Sequence, residues 1–372
     1  MENTKKTPPV KRMFQYKKTP DSANSLILKP TAFAIVAIVT GFFCLYLLPW
    51  MCFRAEKLET PSRFRLAYRF RDDYLTWRRA AAQTAEKHRV LFIGDSVIWG
   101  MFADNNSTLP ALANAGNLAI DGLHPVAMAG LLRHYRPGNL TGRRIYLYWN
   151  PLWLNTPASD LTAAGKGSVN HPRLLPQLDC NLKAYSGSFS DRCNAVFERL
   201  SPLPGLLHHW RVKCFANQDF KAVIAANPAS FPVSALLSPC RPAETETGNG
   251  TKTWKQGGIT KQDWQWVGIA ESRQWQAFIG VVSLLRENGN EVCVLAGRVN
   301  PYLQTDASLA RYRAMRQNAL NDLQARQIEY LDLPELASEQ YADASHPLAA
   351  GYQVWNTFIN SNGRFQGARD NR

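Results

Sequence analysis

Val90-Leu91-Phe92-Ile93-Gly94-Asp95-Ser96-Val97-Ile98-Trp99-Gly100 decides how this chain folds. Four apolar residues in a row, ended by a glycine, have the length and composition of a strand buried on both faces. Gly-Asp-Ser then supplies turn residues, and the apolar run after Ser96 begins a helix. A serine at such a turn lies at the edge of a sheet, where its hydroxyl meets solvent and ligands.

Outward from this stretch the same alternation repeats. Strands are expected at 89–93, 114–119, 144–149 (RIYLYW), 291–296 and 328–331. Between them lie helical patterns at 124–135, 262–287 and 309–326, and His346-Pro347 is expected to open a last helix with proline in its first turn. The helix at 262–287 carries the clearest period, with Phe278, Val281, Val282 and Leu285 at i, i+3, i+4 and i+7. Strands alternating with helices predict an α/β fold, a mostly parallel five-stranded sheet between two helical layers. In such sheets ligands bind at the carboxyl ends of the strands, where Ser96, Asn150 and the loop holding Asp343 and His346 all fall.

The flanks carry topology. Residues 1–30 form a basic tail, with Lys5, Lys6, Lys11, Arg12, Lys17, Lys18 and Lys29 against Glu2 and Asp21. Residues 31–53 are 23 uncharged, mostly apolar positions, long enough to cross about 30 Å of hydrocarbon as a helix. The positive-inside bias then places the tail in the cytoplasm and the rest in the periplasm or another extracytoplasmic space. Residues 54–88 read as a linker helix, and 89–154 with 261–372 as the main domain. The net charge of +14 includes that tail, and the remainder forms no basic-aromatic stripe of the kind that tracks phosphates, so nucleic acid is not expected as a partner.

Residues 155–260 interrupt the alternation with a proline-rich insertion that reads as irregular. It leaves the strand ending at Asn150, at the same edge as Ser96, as a lid over the site would. It holds Cys180, Cys193, Cys214 and Cys240, an even number in an extracytoplasmic setting, which suggests two disulfides of open connectivity. The intervening spacings of 12, 20 and 25 residues lack the close cysteine pair of a zinc knuckle. No metal or organic cofactor is implied. His124, His171, His208 and His209 read as surface or packing residues. Trp254, Trp264, Trp266 and Trp275 read as packing, with stacking on sugar rings as the alternative.

The chemistry rests on two segments far apart in the chain. A serine hydroxyl is a weak nucleophile unless a base takes its proton, and Asp343-Ala344-Ser345-His346 offers a histidine with a carboxylate three residues earlier. Asp343 can fold back onto the far ring nitrogen of His346 and fix its tautomer. Asp95 reads as an organiser of the turn. Attack on an ester creates an oxyanion that needs two or three preorganised donors, and a backbone N–H at a helix start, such as that of Ser96, is one suitable type.

On Gly94-Asp95-Ser96 and Asp343-x-x-His346, with Gly122 in Asn117-Leu118-Ala119-Ile120-Asp121-Gly122, the chain resembles the SGNH (GDSL) hydrolase family. The third family block, Gly-x-Asn-Asp, keeps only its asparagine in Tyr148-Trp149-Asn150-Pro151. The resemblance covers roughly 88–150 and 290–362, and implies a flavodoxin-like fold, a Ser96–His346–Asp343 triad and an oxyanion hole of Ser96, Gly122 and Asn150. It implies a serine esterase or O-acyltransferase, whose partners in an anchored member would be acylated glycan and the envelope polysaccharide machinery. The alternatives are an inactive glycan-binding scaffold and a lipid esterase.

Overall fold

The computed structural model describes residues 30–58, 72–102, 112, 114–138, 140–163, 170–178, 189–215, 239 and 252–363. Its centre is a five-stranded sheet of β1 (Val90–Ile93), β2 (Ala115–Asn117), β3 (Arg144–Trp149), β4 (Glu291–Ala296) and β5 (Glu329–Asp332), in the order β2-β1-β3-β4-β5 with every neighbouring pair parallel. The chain steps outward from β1 to β2, then returns to the other side of β1 with β3. The carboxyl ends of β1 and β3 therefore flank the topological switch point, where an open parallel sheet offers a crevice.

Alternation along the strands divides the core in two. Leu91, Ile93, Ile145, Leu147, Trp149, Val292 and Val294 face one side, where α3 (Tyr74–Lys87), α5 (Pro125–His134), α9 (Arg273–Glu287) and α10 (Asp306–Ala325) cover them. Val90, Phe92, Tyr146, Tyr148, Cys293 and Leu295 face the other, against α4 (Ser96–Met101) and α11 (Ala349–Asn362). Side chains buried on both faces are why these strands read as continuous apolar runs.

Several expectations are corrected. The helix placed at 262–287 begins at Arg273, where Ser272 caps it by accepting from the Trp275 N–H at 3.0 Å. The preceding residues are pulled out of helical geometry by backbone bonds to Leu154 and Asn155. Pro347 does not open the last helix. It sits in an antiparallel bridge with Tyr341, and α11 starts at Ala349. Within 54–88 the described residues Tyr74–Lys87 are helical as expected, but Trp77, Ala80, Ala81 and Ala85 of this α3 belong to the core, so it is part of the domain.

The apolar run at 31–53 is not one α-helix. It comprises α1 (Pro30–Phe42), a π-helical segment (Phe43–Leu47) and α2 (Leu48–Ala55), which follow one another without a break. No helix among the described residues is long and apolar enough to cross a membrane.

The described part of the insertion is irregular at 155–163 and 252–260, as expected, but also carries three helices, α6 (Leu175–Leu178), α7 (Phe189–Leu200) and α8 (Leu203–Phe215). Cys193 on α7 and Cys214 on α8 are free thiols, against the expected disulfides; Cys180 and Cys240 lie outside the described residues. Buried polar contacts hold this segment instead. His209 of α8, fully buried, lies 2.7 Å from Asp73 and 2.9 Å from Glu56, and Lys213 pairs with Glu56 as well. Arg173 and Glu198 form a second pair.

Candidate active site

Three strand-end loops and the segment before α11 build the site. After β1, Asp95 caps α4: its carboxylate accepts from the Val97 N–H at 2.9 Å, which places Ser96 at the first helical position. First-turn N–H groups have no acceptor within the helix, so the N–H of Ser96 is oriented outward from it. After β3, Asn150 accepts from the Leu152 N–H at 3.0 Å and donates through Nδ2 to Asp95 at 2.7 Å. That bond ties the ends of the two switch-point strands together.

The third component is the loop 340–348. It is closed at both ends by backbone bonds, from Ala342 N–H to the His346 carbonyl at 2.8 Å and from Leu348 N–H to the Gln340 carbonyl at 2.7 Å. Asn300, in the loop after β4, holds it from below by donating to the carbonyls of Ala344 and Asp343. Within it, Asp343 Oδ1 accepts the backbone N–H groups of Ser345 and His346, each at 2.9 Å. The same carboxylate reaches His346 Nδ1 at 2.8 Å through Oδ2. His346 Nε2 lies 2.8 Å from Ser96 Oγ, across 250 positions of sequence. The structure thus brings together Ser96, His346 and Asp343 as expected. With Nδ1 bonded to a carboxylate, Nε2 is free to accept the serine proton.

Electrostatics fit that role. Burial works against a charged His346, but the hydrogen bond and charge of Asp343, joined by the charges of Asp95 and Asp121, outweigh it and raise its pKa above the ordinary histidine value. Burial likewise opposes ionisation of Asp343, and the bonds and charge from His346 more than offset it, so its pKa is lowered. Asp95 behaves differently. It is 2% exposed, and burial raises its pKa despite donors from Asn150, Val97 and the Trp153 indole.

Gly122 lies in the loop after β2, with φ +68°. That left-handed backbone favours glycine, and a β-carbon there would also displace the Asn170 side-chain amide, 2.8 Å away. Asn150 stands at the site with its amide shared with Asp95. Asp121, Trp153 and His171 were not singled out for the site by sequence. Asp121 lay inside the quoted block beside Gly122, and its acidic side chain was the available signal. His171 carried none, since it reaches the loop only through folding. Trp254, Trp266 and Trp275 are buried, so they pack rather than stack on ligands, and Trp264 is half-buried.

No protein-family model matches this chain, and a search of curated proteins finds no match either. The resemblance to SGNH hydrolases accordingly rests on the local blocks around Ser96, Gly122, Asn150 and His346.

Proposed function

We propose that this protein is a serine esterase or O-acyltransferase of the SGNH type, working through an acyl-Ser96 intermediate. Ser96 Oγ attacks the ester carbonyl while its proton passes to His346 Nε2. The resulting imidazolium, stabilised by Asp343, returns the proton to the departing alkoxide. Water or an acceptor hydroxyl then repeats the sequence in reverse on the acyl-enzyme. Ser96 N–H, Gly122 N–H and Asn150 Nδ2 serve as the oxyanion donors. The observation that carries the reading is the 2.8 Å contact from Ser96 Oγ to His346 Nε2, with Asp343 on the other ring nitrogen.

We further propose attachment to a membrane through the segment 30–55, with the domain on the extracytoplasmic side. Phe33, Ile35, Val36, Ile38, Val39 and Phe42 of α1 are between 52% (Val36) and 70% (Ile38) exposed. Such a band of apolar surface favours a lipid environment. Acyl esters of envelope glycans follow as the substrate class from that location alone, because the buried tryptophans lend the glycan reading no support.

Fluorophosphonate labelling of the wild type and of Ser96→Ala tests the chemistry. Labelling of the wild type and none of the variant is expected; equal labelling of both, or of neither, would remove the nucleophile. Turnover of an acetyl ester with and without an oligosaccharide acceptor separates the two activities, because acetylated sugar marks the transferase and acetate alone the esterase.

A further inference from the structure

His171 of the insertion is 1% exposed and lies far in sequence from the triad. Its Nε2 lies 2.8 Å from the carbonyl oxygen of Asp121. A carbonyl only accepts, so Nε2 carries the proton and donates. On the other side of the ring, Nδ1 is 3.0 Å from the Tyr74 hydroxyl and 3.2 Å from an Asp72 carboxylate oxygen. Both residues stand at the start of α3, and burial raises the Tyr74 pKa well above the ordinary tyrosine value, which keeps its O–H a donor. The adjacent Asn170 packs against Gly122, and its carbonyl accepts from His124 Nε2 at 2.9 Å. The ring is therefore held on both sides, within a scaffold fixed to the α3 and α5 termini.

The Asp121 carbonyl and the Gly122 N–H belong to one peptide unit. That unit is planar and trans, so its C=O and N–H point in opposite directions. A bond that fixes the carbonyl toward His171 fixes the N–H away from it. Accepting a hydrogen bond at the carbonyl also polarises the peptide and strengthens its N–H as a donor. The loop borders the triad, since the Ile120 N–H donates to the Gly94 carbonyl at 3.1 Å, two residues before Ser96.

We propose that His171 is a positioning residue for acyl transfer, orienting and strengthening the Gly122 N–H as an oxyanion donor through the peptide it grips. This rests on the reading of Ser96 as nucleophile. The insertion then completes the site from behind, by bracing the loop after β2.

His171→Gln and His171→Met in the full chain test it, because the two side chains are similar in size and only glutamine can donate to the Asp121 carbonyl. Active sites are titrated with a fluorophosphonate, and kcat and KM for p-nitrophenyl acetate are expressed per titrated Ser96. His171→Met should lose about 10- to 100-fold in kcat with little change in KM, and lose affinity for an arylboronic acid, a tetrahedral mimic, by a similar factor. His171→Gln should recover most of both. A merely structural role would lower the titrated fraction and leave kcat per site unchanged; that result, or a glutamine variant no better than methionine, overturns the proposal. If the methionine variant does not fold, Tyr74→Phe, which loosens the ring but keeps Nε2–H, should lower kcat by about threefold or more, and an unchanged kcat overturns the proposal. A wild type that neither labels nor turns over ester would remove the acyl-enzyme reading, and this inference with it. A labelled, active wild type with an unaffected methionine variant removes this inference alone.

Discussion

Asp343→Asn separates the electrostatic role of the acid from its place in the loop. Asp343 Oδ1 already accepts two backbone N–H groups, from Ser345 and His346. An amide at 343 will keep its carbonyl oxygen on those donors, so its NH2 group takes the place of Oδ2 and faces His346 Nδ1. Nδ1 must then accept, the ring proton moves to Nε2, and Nε2 no longer accepts from Ser96. Turning the amide over restores the productive tautomer at the loss of two backbone bonds, each worth about 0.5–1.5 kcal/mol net. The charge-assisted bond that stabilises the imidazolium is also gone, worth about 1.5–3 kcal/mol. Together these give about 2.5–6 kcal/mol, or about 10²- to 10⁴-fold in kcat/KM. The assay is hydrolysis of p-nitrophenyl acetate across the pH range, with circular dichroism to show that the fold is kept. The acid limb should also move to lower pH, because Asp343 supplies the first of the favourable contributions that raise the His346 pKa and the base works only when deprotonated. A folded variant within about tenfold of the wild type, with its acid limb unmoved, would refute the triad assignment.

Asn150→Ala should lower kcat by about 10²- to 10³-fold, as expected for loss of one oxyanion donor, and steady-state kinetics at saturating ester would reveal it. Gly122→Ala meets both a left-handed backbone and the Asn170 side chain, and should cost about 1–2 kcal/mol of stability, read as a melting temperature lowered by about 2–8 °C. His209 has its pKa raised to about 9, burial being outweighed by Asp73 and Glu56. Its stabilisation is thus complete below the ordinary histidine value and fades as pH rises through about 9; urea midpoints should fall over that interval and the fall should vanish in His209→Leu. That variant leaves Asp73 buried without its cationic partner, while Glu56 keeps Lys213 and Arg79, and at neutral pH should lose about 3–5 kcal/mol in urea titrations.

Much of the fold was legible because strand burial leaves a local mark. Arg144–Trp149 and Glu291–Ala296 were bounded correctly from apolar and β-branched runs alone. The failures have physical causes. The proline-rich 155–260 stretch concealed α7 and α8, which are held by tertiary contacts rather than by local period: α8 packs on α3 with His209 against Asp73, and α7 packs on α6 and α8 with Glu198 against Arg173. The start of α9 was missed because bonds to Leu154 and Asn155 draw 265–267 out of the helical pattern that the sequence continues. Cysteine parity is a count without geometry, and Cys193 and Cys214 are free thiols in the structure.

Sequence by itself determined the turn that presents Ser96 and the reach of Asp343 to His346, because each depends on residues within three or four positions of one another. It also determined which strands are buried on both sides. Tertiary structure alone decided that β1 lies between β2 and β3, that His346 meets Ser96, that Asn150 shares its amide with Asp95, and that His171 holds the peptide before Gly122. Periodicity records how deeply a residue is buried but not what it is buried against. The partner is set by sheet order and by packing between the two cores, which no single segment encodes.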